Sequence, residues 1–536
     1  MKLNAQQQAC VDAIDGVYAV IAGPGSGKTS VLVQRHLNML SKGIPSSDIL
    51  NLTFTHAAAS EMADRSGLLD TKRVFRTFHS FAIELLKKEK DLLPFKLNDT
   101  VIPVEMEDYK LLFDLVKTYP TIKDFRTLQD KISEWKRSGV EPDEAIKEAE
   151  RSSDKFSYFY SLAYRDYEYG CRNQGWLDFD SVMQEAVWLL EMQPEVVTRH
   201  QRKYISVDEC QDTDVVQFRM LQLIFDGNIF VVGDENQLIY EWRSAQPGNL
   251  TNFCKLFPDA KTLFLGQNFR STGAIVGLLK EILPVDNGIA SHMITEREYG
   301  EEPEYIRYMD SEIEADRVLA AITDPLNTAV LARTNRQLFI YQRLCAMRGI
   351  KYKILGKKDF FDQNEIKRLL AFAKDSIDLR PAPAVLTDLI QRYRMLETYK
   401  HAGRPMESNP IENLNDLVKM AANKGTIEEF LTWLRKLKYS RRSVKGLTLS
   451  TVHQAKGREY KHVFVIGAHQ GSMPHRDGEL LEEKRIFYVA LSRASDRLTV
   501  SCSKEPTMFL NNQLFQIYTP PIQEENNGRE EIYVGI

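Results

Sequence analysis

The run Ala22-Gly-Pro-Gly-Ser-Gly-Lys-Thr29 has the residue types and spacing to hold a phosphate chain. Phosphates need several convergent backbone N–H groups, and side chains would block that approach. Gly23, Gly25 and Gly27 keep the loop bare, with Pro24 and Ser26 between them. Lys28 can reach the β- and γ-phosphates, and Thr29 offers a hydroxyl to Mg²⁺. A helix beginning near Gly27 and running through Ser30 would aim its positive end at the phosphates. The strict form of this loop opens with Gly, where this chain has Ala22. Such a loop needs a metal-holding carboxylate at the end of a neighbouring strand. Tyr204-Ile-Ser-Val-Asp-Glu209 supplies one: Asp208 suits Mg²⁺, and Glu209 can accept a proton from an attacking water. Negative charge that develops during hydrolysis calls for a cation, and Arg270 in QNFRS and Arg493 in YVALSRA are candidates.

The elements that must position these residues read as alternating strands and helices. VYAVIAG is a short apolar run before the glycine loop, and SVLVQRHLNMLSKG has helical spacing ending at Gly43. DILNLTFT predicts a second strand and HAAASEMADR its helix. From 87 to 177 the texture turns to charged helical segments. Strand signals return with KYISVDE, NIFVVGDE and KTLFLGQN, then with TAVLAR, LTLSTV, HVFVIG and RLTVSC. Charged helical sequence fills 376–445, and the tail 520–536 is acidic and expected to be flexible. The fold class is therefore α/β, with two parallel-sheet units, each interrupted by a mainly helical insertion. The expected boundaries are 1–86 and 178–272 for the first unit around the insertion 87–177. They are 273–375 and 446–519 for the second unit around the insertion 376–445. In parallel sheets, ligands bind beyond the carboxyl ends of the strands.

Composition narrows the classes. With Lys+Arg 70 against Asp+Glu 74 the net charge is −4, which excludes a histone-like polycation but leaves room for a basic groove. The six cysteines form no CxxC pair, so a zinc knuckle, an iron–sulfur cluster or a disulfide scaffold is not expected. That usage fits a reducing cytoplasm. No apolar run approaches the ~20 residues of a membrane helix, and the N-terminus is too polar for a signal peptide.

Taken in order, the motifs resemble those of the UvrD/Rep/PcrA-like helicases of superfamily 1. Leu3-Asn4 with Gln7 is similar to the Q motif, AGPGSGKT to motif I, LTFTHAAASEM and RTFHSFA to the two motifs that follow, and VDECQDTD to motif II. VVGDENQLIYEWRSA resembles motif III, LGQNFRST motif IV, and TVHQAKGREY and EEKRIFYVALSRA motifs V and VI. The stretch from Ile354-Leu-Gly through Phe360-Phe361 to Glu365-Ile-Lys resembles a further family signature. The resemblance implies two RecA-like motor domains with ATP and Mg²⁺ at their interface. It assigns adenine reading to Gln7, adenine stacking to Phe269, the ribose to Glu459, γ-phosphate sensing to Gln237 and finger roles to Arg270 and Arg493. Ser30 stands where the family often has Arg after GKT, which removes one adenine contact, and the insertion 376–445 is much shorter than the family's second accessory domain.

Single strands are held by aromatic platforms beside backbone contacts, each stacked base being worth ~1–3 kcal/mol. Tyr240 and Trp242 follow directly on Gln237, and Phe54 and His79 lie in the TFT and TFHS motifs. Arg243 suits either a phosphate or a nucleotide. Residues 435–445, RKLKYSRRSVK, carry six basic side chains at the return from the second insertion, a plausible duplex contact. The expected activity is an ATP-dependent DNA helicase translocating on single-stranded DNA, 3′-to-5′ by family likeness, with single-strand/duplex junctions as partners. A translocase that strips proteins from DNA, a nucleotide-switched scaffold and an RNA helicase are the rival readings, the last without any visible RNA module.

Overall fold

The computed structural model describes residues 3–68, 74–102, 105–152, 154–240, 248–356, 360–374, 376, 378–396, 410–441 and 445–518, the side chains of 105–109, 412 and 436–441 excepted. Two compact units divide the chain, Met1–Tyr299 and Gly300–Ile536.

The first unit is built on six parallel strands: β1 (Val17–Ala22), β2 (Ile49–Thr53), β3 (Phe75–Thr77), β4 (Arg202–Val207), β5 (Phe225–Gly233) and β6 (Lys261–Leu265). Their order across the sheet is β3-β2-β4-β5-β1-β6. Both faces are covered, which is why VYAVIA in β1 and IFVV in β5 read as near-continuous apolar runs. Val20, Ala22, Phe230 and Val232 face one core with Val31 and Leu32. Ala19, Ile229 and Val231 face the other with Phe78, Phe81 and Leu85. Four helices flank the motif-bearing strands: α1 (Ala5–Asp12), α2 (Lys28–Ser41), α3 (His56–Ser66) and α4 (Phe78–Lys88). Beyond α4, the helices Glu105–Thr118, Phe125–Arg137, Pro142–Ser152 and Lys155–Asn173 build a separate core around Leu112, Ile132, Trp135, Tyr164 and Tyr167. Lys136 is fully buried there. Its ammonium is matched by Glu168 and, at 2.7 Å, by Asp178, as a buried charge requires.

The expected passage between the two units at 272/273 falls inside this first unit. The helix Gly273–Glu281 stays with it for a reason the motifs do not carry. The N–H groups of Gly273 and Ala274 donate to the carbonyls of Glu298 and Tyr299 at 2.9 and 2.8 Å. Asn236 holds Val285 by two hydrogen bonds, donating from Nδ2 at 3.0 Å and accepting on Oδ1 at 2.7 Å.

The second unit has seven parallel strands: β7 (Glu304–Arg307), β8 (Thr328–Ala332), β9 (Tyr352–Ile354), β10 (Leu447–Thr451), β11 (Tyr460–Val465), β12 (Ala494–Cys502) and β13 (Gln516–Ile517). Their order is β13-β7-β12-β11-β8-β10-β9. Its helical body begins at Phe360, ahead of the expected 376. Phe360, Phe361 and Leu369 share one core with Leu386, Leu417 and Phe430. No helix among the described residues is long and apolar enough to cross a membrane. Trp242, Arg243, most of the basic run 435–445 and the tail 520–536 lie outside the described residues or side chains.

Candidate nucleotide and strand-binding site

Apart from Gln7, which lies on α1 ahead of β1, the site candidates of the first unit lie at or beyond the carboxyl ends of strands. The glycine loop follows β1, Asp208 and Glu209 follow β4, Gln237 follows β5, and Phe269 and Arg270 follow β6. These four strands are neighbours, so the sheet order itself gathers the nucleotide candidates at one edge. Phe54 and His79 follow β2 and β3 on the other side of β4. The segment after β5 belongs to both groups, since it carries Gln237 and then Tyr240.

Ala22 ends β1 buried, Gly23 donates its N–H to the Leu265 carbonyl at 2.8 Å, and Pro24 is buried beside it. Gly25 and Gly27 have φ of +66° and +82°, where a Cβ is disfavoured. Ser26 Oγ closes the loop onto the Gly23 carbonyl at 2.8 Å. Gly27 caps α2, so Lys28, Thr29 and Ser30 form its first turn. Gln7 is buried and donates from Nε2 to the Ser26 carbonyl at 3.1 Å, so it braces the loop directly. Its neighbour Gln6 accepts on Oε1 from the N–H groups of Gly266 and Gln267 at 3.0 and 3.3 Å. The start of α1 therefore ties the glycine loop to the segment after β6.

Asp208 is buried at the end of β4, its N–H bonded to the Leu52 carbonyl at 2.8 Å and its Oδ1 accepting from the Glu209 N–H at 3.0 Å. Burial first, and the Glu209 carboxylate second, push the Asp208 carboxyl up to about 7 against the opposing pull of Lys28. Glu209 sits at φ +50°, a left-handed backbone that costs a non-glycine residue about 1–3 kcal/mol and is held by its surroundings. Gln211 supplies part of that hold: its Nε2 donates to Glu209 Oε2 at 2.6 Å and its Oε1 accepts from the Asp234 N–H at 2.9 Å. Gln237 is buried and donates from Nε2 to Asp234 Oδ2 at 2.7 Å.

A magnesium ion suits this donor set. Buried acids this close together gain from a neighbouring cation, and Thr29 and Asp208 offer one hydroxyl and one carboxylate. Among the described residues no trio of His, Cys, Asp or Glu could hold a metal alone.

Phe269 presents a ring that is 44 % exposed, and its N–H donates to the Gly25 carbonyl at 2.9 Å. The residue after GKT is Ser30, yet a guanidinium still stands beside it. Arg65 Nη1 donates to Ser30 Oγ at 3.2 Å while Nη2 pairs with Glu61 at 2.6 Å. In the second unit, Glu459 is exposed. Arg493 is buried, with Nε on the Val489 carbonyl at 3.0 Å, Nη1 on the Arg458 carbonyl at 3.3 Å and Nη2 on Ser492 Oγ at 2.8 Å.

The aromatic candidates pair. Phe54 and Tyr240 stack with centroids 5.8 Å apart and planes 17° apart. His79 is half-buried under Phe179, 3.6 Å between centroids, and burial pulls its imidazole down to about 4. The ring that faces outward is Phe179, 55 % exposed. The motif reading passed over Phe179, Gln211, Gln6 and Arg65. WLDFD is an ordinary apolar–acidic run, and only the fold brings its Phe onto His79.

The second unit has its own crevice of about 1190 Å³ at the carboxyl ends of its strands, lined by Arg333, Asn335, Arg336, His453, Gly467 and Lys504 among others. Arg333 is held there by Glu483, from Nη2 at 2.7 Å and Nε at 3.0 Å.

Comparison with known proteins agrees with this arrangement. The UvrD/REP helicase N-terminal domain matches residues 3–258, and the UvrD-like helicase C-terminal domain matches residues 263–381 and 384–505. The ATP-dependent DNA helicase PcrA of Staphylococcus epidermidis is 27% identical, covering 95% of this chain and 84% of its own length. The ATP-dependent DNA helicase Rep of Escherichia coli K12 is 27% identical, covering 94% of this chain and 91% of its own. With two parallel α/β sheets of RecA-like type and both halves of the family signature along its length, the chain belongs to the UvrD/Rep/PcrA-like helicases of superfamily 1.

Proposed function

We propose that this protein is an ATP-dependent DNA helicase that moves along single-stranded DNA 3′-to-5′ and couples ATP hydrolysis to strand separation. One observation carries the reading. The nucleotide candidates at β4, β5, β1 and β6 adjoin the aromatic candidates at β2 and β3, and the segment after β5 contributes to both groups.

In this reading Lys28 and the loop N–H groups bind the phosphates, and Thr29 and Asp208 hold Mg²⁺, which when bound offsets the phosphate charge. Glu209, oriented by Gln211, takes the proton from the attacking water. Gln237 registers the γ-phosphate, and Arg270 and Arg493 stabilise the charge that develops on it. Gln7, Phe269 and Glu459 hold adenine and ribose. The strand stacks on Phe54 and Tyr240 and on Phe179 backed by His79, and Trp242 and Arg243 are further strand contacts of this reading. The direction of travel rests on family likeness, and the DNA substrate on the names of the PcrA and Rep relatives. Six free cysteines suit work in a reducing cytoplasm. The short insertion at 376–445 favours a second reading, a translocase that remodels protein–DNA complexes without processive unwinding.

Steady-state ATP turnover with single-stranded DNA tests the site. Lys28→Ala should abolish turnover and keep strand binding. Glu209→Gln should keep ATP binding and lower stimulated turnover about 100-fold or more. Near-normal turnover by either variant contradicts the assignment.

A further inference from the structure

Arg270 is tied on both sides. Its N–H donates to Asn268 Oδ1 at 2.8 Å, and the next N–H, of Ser271, donates to the same oxygen at 2.7 Å. Its carbonyl accepts from the guanidinium of Arg297. A third residue closes the ring: Thr295 Oγ1 donates to the Ser271 carbonyl at 3.2 Å and accepts from the Arg297 N–H at 3.2 Å. The Asn268 N–H is in turn held by the Ile294 carbonyl at 2.7 Å. On its other side the segment meets the glycine loop through Phe269 N–H on Gly25 O. Asn268 is 1 % exposed. Arg297 and Thr295 lie outside every motif, 27 and 25 residues beyond Arg270.

Such a cradle does not bind substrate. It fixes the peptide planes from which the Arg270 side chain leaves the backbone. A long side chain stabilises a charge only while it is aimed at it, and misplacement by about 1 Å costs about 100-fold in rate. We infer that Arg297, with Asn268 and Thr295, is a positioning residue for Arg270, setting the direction of the guanidinium that meets the transferring phosphoryl group. The inference rests on the proposed role of Arg270.

The test compares binding of Mg-ADP with binding of Mg-ADP plus aluminium fluoride, a mimic of the transferring phosphoryl group, alongside turnover with single-stranded DNA. For Arg297→Met, ADP affinity and the melting temperature should stay within about twofold and about 2 °C of wild type. Affinity for the mimic and kcat should each fall about 10-fold or more. Arg297→Lys, which can still donate to the carbonyl, should recover part of both. In an Arg270→Ala background, Arg297→Met should add less than about twofold, because the group it positions is gone. Multiplying defects, or an ADP affinity that falls as far as that for the mimic, would overturn the inference. Should Arg297→Met not fold, Thr295→Val removes one hydroxyl from the same cradle and carries the same expectations. If Arg270→Ala alone keeps full turnover and full affinity for the mimic, the proposed role of Arg270 is what fails.

Discussion

At Gly25 two demands fall on one residue. Its φ of +66° disfavours any Cβ, and a Cβ built there would lie 2.8 Å from Arg270 Cβ and 2.9 Å from Asn268 Oδ1. The bare loop thus serves the backbone of the finger segment as much as the phosphates. Gly25→Ala should therefore lower kcat/KM for ATP about 100-fold or more, by displacing the 268–270 segment as well as the loop. Turnover within about threefold of wild type would show that the packing over Gly25 is not needed. Lys28 and Glu209 are different in kind: their backbones are supplied by the fold, and their charged groups are what the variants above remove.

Between residues and the whole chain, elements decide which groups are presented. Phe179 opens the helix Phe179–Met192, with Asp178 as its N-cap accepting from the Ser181 N–H at 2.7 Å. That cap fixes the ring over His79. Phe179→Ala should weaken single-strand affinity by roughly 1–3 kcal/mol. The ring is more than half exposed, so the melting temperature should move little. A stable variant with full strand affinity would remove Phe179 from the binding surface. The helix Val215–Ile224 gives an independent check on burial. Its N-cap, Asp214, accepts from the Gln217 N–H at 2.8 Å, and burial, with help from Asp180, pushes its carboxyl up to about 7 from an ordinary 3.8. Above pH 7 the folded protein holds a desolvated carboxylate at full cost. As pH falls through 7 the folded form takes up a proton before the unfolded form does, so stability at this site rises, and below 3.8 the cost is gone. Asn caps a helix as well as Asp does. Asp214→Asn should raise the melting temperature at pH 8 by about 2–4 °C for each kcal/mol relieved, with the gain shrinking between pH 7 and 4. A gain independent of pH would contradict this origin.

For the molecule as a whole, what the sequence discloses follows the range of the interactions. The glycine loop is legible because the phosphate requirement is local: strand, three glycines, Lys28 and helix lie within one short run. Tyr204–Glu209 is legible for the same reason. Phe179 on His79 and Arg297 on Arg270 are not, because each is a contact between residues whose separation in the chain only the fold closes. The association of the segment 273–299 with the first unit is not legible, because backbone hydrogen bonds to Glu298 and Tyr299 leave no mark on residue type. The longer strands of both sheets, by contrast, follow from apolar runs, whereas the short β3, β7, β9 and β13 carry no such signal. The central claim, ATP-driven strand separation from a single-stranded tail, is tested most directly by one measurement. Duplexes with 3′ tails and with 5′ tails are mixed with the protein, ATP and Mg²⁺, and strand release is followed in parallel with an ATP-free control. Release from the 3′-tailed duplex that depends on ATP, with the 5′-tailed duplex left intact, is expected. No ATP-dependent release from either duplex, despite strand-stimulated ATP turnover, would contradict the helicase reading and leave the translocase in its place.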